Sequence, residues 1–205
     1  MAASGGDDAE TSENIRTYAP DSALILGRAV SIKDMEAVAA GVAGVRAVRA
    51  EWRWHSTRQR PVVQIWYIGE EGIEKNISQT LHGLSDPTWP IDVKRADGKP
   101  VKLSIDVEID PRYVEDDVLA DVRDALMNEE TGLLAPERIG ICQPLFRSQI
   151  FWKILEVPGT EGIRGIQWND QLLNSFAVKP EAGEYFDLEE GTLLLNGKDK
   201  SSNAK

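Results

Sequence analysis

The sequence predicts an α+β protein of two small consecutive domains, each a mixed sheet with helices packed on one face. Three observations lead there. Apolar spacing switches repeatedly between a period of two and a period near 3.6. Helices and strands alternate, yet neighbouring strands also occur in hairpin-like pairs, a mixture typical of α+β layers. Turn-forming dipeptides (Asp86-Pro87, Asp97-Gly98, Asp110-Pro111) separate the segments.

Residues 1–21 are polar, with Gly5-Gly6 followed by Asp7, Asp8 and Glu10, and read as a linker or arm too poor in apolar side chains to fold alone. Ser31 and Asp34 form a capping-box pattern, with Asp where Glu or Gln is usual. Behind it Ile32, Met35, Val38, Ala39 and Val42 make a helix face that Gly44 closes. Val48, Ala50, Trp52 and Trp54 alternate with Arg49, Glu51 and Arg53, which predicts a strand. Residues 55–60 are the polar turn. Residues 62–68 are almost wholly apolar and read as a central strand buried on both faces. Ile73, Ile77, Leu81 and Leu84 share one helical stripe, and Asp86-Pro87 ends that helix. A short strand starts at Ile91, a turn is expected at Asp97-Gly98, and the first domain is bounded at residues 22–100.

The second domain is expected over residues 101–196. Val101, Leu103, Ile105, Val107 and Ile109 alternate with polar residues, so this strand has one buried and one wet face. Pro111 stops it. Val114, Val118, Val122, Ala125 and Leu126 then fall at helical spacing, with Glu115, Asp116, Asp117, Asp121 and Asp124 on the other side. The acids at 115–117 lie in the first turn, where the helix dipole favours negative charge. Their spacing fits no calcium loop, and they read as a solvated face. The stretch 131–144, with Gly132, Pro136, Gly140 and Pro144, is too punctuated for a long helix, but Leu133, Leu134, Ile139 and Ile141 give it an apolar side. A helix follows near Ser148, with Ile150, Phe151, Ile154 and Leu155 as its core stripe, and Val157-Pro158-Gly159 stops it. Ile163, Ile166 and Trp168 mark a strand, and a last hairpin is expected between residues 176–178 and 192–195. Residues 197–205 read as a polar, frayed tail.

Composition excludes several roles. A net charge of −11 disfavours nucleic acid and anionic membrane surfaces, both of which select a basic face. No run is long and apolar enough to predict membrane insertion, and the first residues lack a basic-then-apolar leader pattern. One cysteine, Cys142, permits no internal disulfide and fits a reducing compartment and a packing role.

Chemistry is not written in the chain. Phosphate-loop, dinucleotide and nucleophile-elbow patterns are missing. Cys142, His55 and His82 lie too far apart in sequence to predict zinc. His55 reads as an exposed turn residue and His82 as a helix-face residue. The expectation is therefore of no catalytic, cofactor or metal site. The six tryptophans are more informative. Trp52, Trp54 and Trp66 fall on one predicted hairpin and read either as core, as an aromatic patch for a protein partner, or as a carbohydrate-stacking surface. Apolar residues in the loop after residue 131 add Leu133, Leu134, Leu145 and Phe146, with Gln143, to the candidate interface.

Several short motifs occur in a fixed order. They are Asp110-Pro111 with Tyr113, then Val122, Ala125 and Leu126, then Gln143-Pro144-Leu145 with Ser148 and Ile150, then Val157-Pro158-Gly159. This order resembles the C-terminal region of the baseplate J-like family, whose pattern reads DP-x-Y, V-x-x-AL, G-Q-P-L-x-x-S-x-I and V-P-G-V. Upstream, Gly27-Arg28-Ala29-Val30-Ser31 with Asp34, Met35, Glu36 and Ala39 is similar to the family's assembly branch, and residues 5–14 resemble its inter-domain linker. Cys142 departs from the pattern, standing where the family tends to have Gly. Thr160-Glu161 follows Val-Pro-Gly where Val is usual, which moves the next strand's start later.

The resemblance implies a non-enzymatic wedge component of a contractile phage tail or contractile injection system, assembled in the cytoplasm. It further implies partners among other baseplate subunits and itself, as a homodimer or a ring around the central hub. Members are often longer, so this chain reads as the C-terminal part. The other reading of the tryptophans and carboxylates is a small carbohydrate-binding or carbohydrate-active domain.

Overall fold

The computed structural model describes residues 28–199; the predicted 1–21 arm and the end of the predicted tail lie outside them. The chain divides into two compact units. One comprises residues 28–65 with Gly69–Lys94, the other Trp66–Ile68 with residues 95–199. The boundary falls ahead of the position expected from sequence. Both units mix helix and strand, as an α+β fold requires.

In the first unit, α1 (Ile32–Ala40) begins at a complete capping box. Asp34 N–H donates to Ser31 Oγ at 3.1 Å, and Ser31 N–H donates back to Asp34 Oδ2 at 2.8 Å. Asp34 Oδ2 also accepts from Val30 N–H at 2.9 Å. The strands β1 (Val45–His55), β2 (Arg60–Gly69) and β3 (Ile91–Arg95) form a sheet in that order, with β2 central and its residues 62–68 all buried. The helix α2 (Glu74–Leu84) buries Ile77 and Leu81. Glu36 on α1 accepts from Ala50 N–H at 2.8 Å, which ties the helix to β1.

The two backbone donors of Val30 and Ser31 hold the Asp34 carboxyl below the usual carboxylate range. A group with a depressed folded pKa adds stability above its unfolded value, near 4, and loses it as pH falls through the folded one. Asp34→Ala is therefore expected to cost about 1 kcal/mol at neutral pH, with the gap from the parent closing toward about pH 3. Urea unfolding of both proteins at the two pH values checks this. A gap that persists in acid would show that the cap works by shape and not by charge.

The second unit is built around β4 (Asp97–Ile109). The sheet order is β7–β6–β4–β9, where β6 is Thr160–Trp168, β7 is Gln171–Leu172 and β9 is Glu184–Asp199. β6 runs antiparallel to β4, with Leu103 opposite Trp168, and β9 runs parallel to it, with Ile105 opposite Leu195. Val101, Leu103, Ile105, Val107 and Ile109 bury one face against Val118, Val122 and Leu126 of α3 (Glu115–Met127) and Ile150 and Ile154 of α5 (Arg147–Leu155). The short helix α4 (Pro136–Ile139) lies in the punctuated loop. The two-residue strands β5 (Leu145–Phe146) and β8 (Ala177–Val178) pair antiparallel.

Six expectations are corrected. The strand after Val157-Pro158-Gly159 does not start late, since β6 begins at Thr160. Asp97-Gly98 is not a turn, since β4 begins at Asp97 and pairs there with Glu184. The last hairpin does not form: residues 177–178 pair with β5 and residues 192–195 with β4. Val114 is the exposed N-cap of α3, outside its core stripe, and Leu155 points outward from α5. Residues 197–199 of the expected tail are strand, paired with Val107, Glu108 and Ile109.

Two of the sequence motifs meet in space. Asp110 N–H donates to Gly159 O at 2.9 Å, and Tyr113 N–H to Asp110 O at 2.9 Å. Arg112 Nε donates to both Asp110 carboxylate oxygens, at 3.0 and 2.9 Å. Gly159 has φ +92°, and a Cβ there would lie 2.8 Å from the Tyr113 ring. The Asp-Pro-x-Tyr and Val-Pro-Gly corners thus form one joint, closing β4 and α5 against the start of α3.

Candidate functional site

The first candidate surface is the tip of the β1–β2 hairpin. A nine-residue helix is about 13 Å long and an eleven-residue strand about 36 Å, so α1 cannot cover the whole of β1. Ala50 is buried; beyond it Trp52 is 48% exposed and Trp54 63% exposed. Trp52 packs on Trp89 with ring centroids 5.4 Å apart. Arg53, Arg58 and Arg60 lie on the same hairpin and are exposed, and Arg53 Nε lies 3.6 Å from Glu51. Exposed Trp with Arg is the composition of interface hot spots. Trp66 does not join them. It is buried in β2 and offers no surface to a partner, because the central strand has no wet face.

The second is the loop leading into α5. Of its expected contact residues, Leu134 and Leu145 are buried in the core, Leu133 and Phe146 are half-buried, and Gln143 is exposed. A shallow depression of about 240 Å³ opens between Leu133, Gln143, Phe146 and Gln149. The loop's shape depends on two left-handed residues, Gly140 at φ +71° and Cys142 at φ +58°. Glycine reaches that region without strain, which accounts for the residue expected from the resemblance at position 142. Cys142 is held there by its N–H to Glu184 O at 2.9 Å, and its sulfur accepts from Gly183 N–H at 3.0 Å.

Sequence reasoning missed a third surface. A groove of about 540 Å³ runs along the outer side of α5, lined by Arg147, Phe151, Trp152, Leu155, Glu156 and Phe176. Trp152 is 72% exposed and Phe176 76%. Arg147 lies over the Phe151 ring at 5.4 Å and donates to Leu173 O at 3.2 Å, while Phe146 and Phe176 meet edge-on at 5.5 Å. The signal that could have found it is the spacing of Ser148, Trp152 and Leu155, which places them on one face opposite Ile150 and Ile154.

His55 is the half-buried last residue of β1 rather than the exposed turn residue expected, its Nδ1 accepting from Arg58 N–H at 3.2 Å, whereas His82 is an exposed helix residue, as read from sequence. Burial, then the neighbouring Asp187 carboxylate, pushes the Tyr185 phenol up to about 12; it stays neutral and donates to Asp187 Oδ2 at 3.3 Å. The acids on the outer side of α3 are exposed, and among the described residues no three His, Cys, Asp or Glu side chains cluster as a metal site. Nor, among those residues, is any helix long and apolar enough to cross a membrane.

No curated protein matches this chain. Among solved structures it is similar to a chain of the anti-feeding prophage baseplate, seen by electron cryo-microscopy in a six-fold symmetrised reconstruction. Identity is 12% and the TM-score 0.56, over 94% of this chain and 43% of that one. The chain therefore spans less than half the length of this relative. At that identity the likeness concerns the fold. The family model for the baseplate J-like central domain matches residues 27–94. This match covers the segment from Gly27 to Ala39 that resembles the family in sequence, and it lies upstream of the 110–159 motifs. Residues 27–94, most of them in the first unit, are thus similar to the baseplate J-like central domain.

Proposed function

We propose that this chain is a structural wedge component of the baseplate of a contractile tail or contractile injection system, joining a ring around the central hub by protein–protein contacts and catalysing nothing. The observation that carries the reading is the baseplate J-like central domain over residues 27–94. The fold match to a six-fold symmetrised baseplate chain supports it. Its partners are other baseplate subunits and further copies of itself, and it assembles in the cytoplasm into the particle. A net charge of −11 leaves little attraction for nucleic acid.

The hairpin tip is the contact proposed to hold a neighbouring subunit. Trp52→Ala and Trp54→Ala are expected to weaken capture of the chain by baseplate proteins encoded beside it at least about tenfold, because large aromatic anchors dominate interface energy. The melting temperature should move little for Trp54→Ala, whose ring is mostly in solvent. Pull-down against purified neighbours, with circular dichroism as the folding control, checks both. If both variants are captured like the parent, the tip is not the contact. A parent chain missing from purified particles by mass spectrometry would remove the baseplate reading itself.

A further inference from the structure

The α5 helix is apolar on both sides. Ile150 and Ile154 face the core of the second unit and are fully buried. On the outer side Phe151, Trp152 and Leu155 line the open groove, beside Phe176. A surface helix ordinarily keeps one stripe apolar and the other polar, and exposed apolar patches with a polar rim mark interaction sites. The rim here is Arg147 at the start of α5 and Glu156 just past its end, about 13 Å apart along the axis.

That charge pattern is complementary to itself. If a second copy lays its α5 antiparallel across the first, Arg147 of each copy comes to the Glu156 end of the other. The same register places Phe151 beside the second copy's Trp152, and Ser148 beside its Leu155. Protruding aromatic rings and a groove to receive them occur on one patch, as an isologous two-fold contact demands. A crossing angle of the common helix-packing classes lets the long Arg147 and Glu156 side chains reach across. We propose that the outer face of α5, with Phe176, is a self-docking surface on which a second copy of this chain sits in this antiparallel register. It assigns the self-contact of the proposed subunit to a surface, and to that extent rests on the baseplate reading, but it is measured in solution and apart from any particle.

Sedimentation velocity of the full chain over a concentration series tests it. The parent should show a monomer–dimer equilibrium. Trp152→Ala should weaken it at least about tenfold, as expected for a central aromatic anchor. Glu156→Arg alone and Arg147→Glu alone should each weaken it through like-charge contacts, and the double swap R147E/E156R should restore it. The restoration is decisive, because Arg147 also touches Phe151 and Leu173 within its own chain and a merely structural role would not be rescued from Glu156. A parent that stays monomeric, or a dimer indifferent to all four variants, overturns the inference, as does a double swap that fails to recover. A monomer that still enters particles leaves the baseplate reading standing, with the groove open to a foreign helix or a small apolar ligand.

Discussion

Alanine at Ile154 is expected to lower the stability of the second unit by about 2–5 kcal/mol, whereas alanine at Trp152, on the same helix, should leave it within about 0.5 kcal/mol. The two positions differ by only two residues, but a helix turns about 100° per residue. Ile154 is fully buried among the side chains of β4 and α3, so removing it loses its transfer energy and leaves a hole. Trp152 stands 72% exposed over the groove, so its removal uncovers little that was dry. Urea unfolding of the two variants gives both numbers. Equal losses would mean that the outer face of α5 packs within the monomer, and the groove would lose its standing as an interaction surface.

Gly159→Ala is expected to destabilise the same unit by about 2–4 kcal/mol. Two costs combine. The φ of +92° lies where only glycine rests without strain, and another residue there costs about 1–2 kcal/mol. A methyl group would also stand 2.8 Å from the Tyr113 ring and 2.9 Å from Val118, and crowding of that kind costs about 1–3 kcal/mol. For a unit of this size each kcal/mol moves the melting temperature by about 4–8 °C. Tyr113→Ala in the Gly159→Ala background should recover part of the loss, because it removes one of the two obstructions. Complete additivity of the two substitutions would show that the ring and the glycine are not in contact.

The joint between Gly159 and Tyr113 shows how far local patterns reach. Each corner was legible as a stop signal: Pro111 cannot extend the strand, and Pro158-Gly159 cannot extend the helix. That they stop against one another was not, since residues 110 and 159 are far apart in the chain. Gly98 makes the converse case. Asp97-Gly98 has the composition of a turn, yet Gly98 lies inside β4, where a Cβ would come 2.9 Å from the Tyr185 hydroxyl and from the Asp187 carboxylate. The glycine is there for a close approach from β9, a reason that becomes visible only when the parallel pairing is known. The two residues of β8 carried too little pattern to choose a partner, and the expected hairpin with residues 192–195 failed for that reason.

The candidate surfaces divide in the same way. Trp52, Trp54 and Trp66 were grouped as one candidate patch, although the apolar run 62–68 already marked the strand of Trp66 as buried on both faces. Burial separated them, because β2 is central in its sheet and β1 is too long for α1 to cover. On α5, the stripe assigned to the core included Leu155, which turned outward. A helix apolar on two sides offers no period that tells the inner from the outer.

What the sequence determined by itself was the class and the elements: α+β, the capped helix behind Ser31, the alternating strand from Val101, the acid-faced helix, and the stops between them. These depend on interactions between residues a few positions apart, which spacing alone records. The tertiary structure decided the parallel partner of β4, the meeting of the two motif corners, and the exposure of Trp54 and Trp152. Each of these depends on contact between distant segments, and burial is a property of what covers a side chain rather than of the side chain itself.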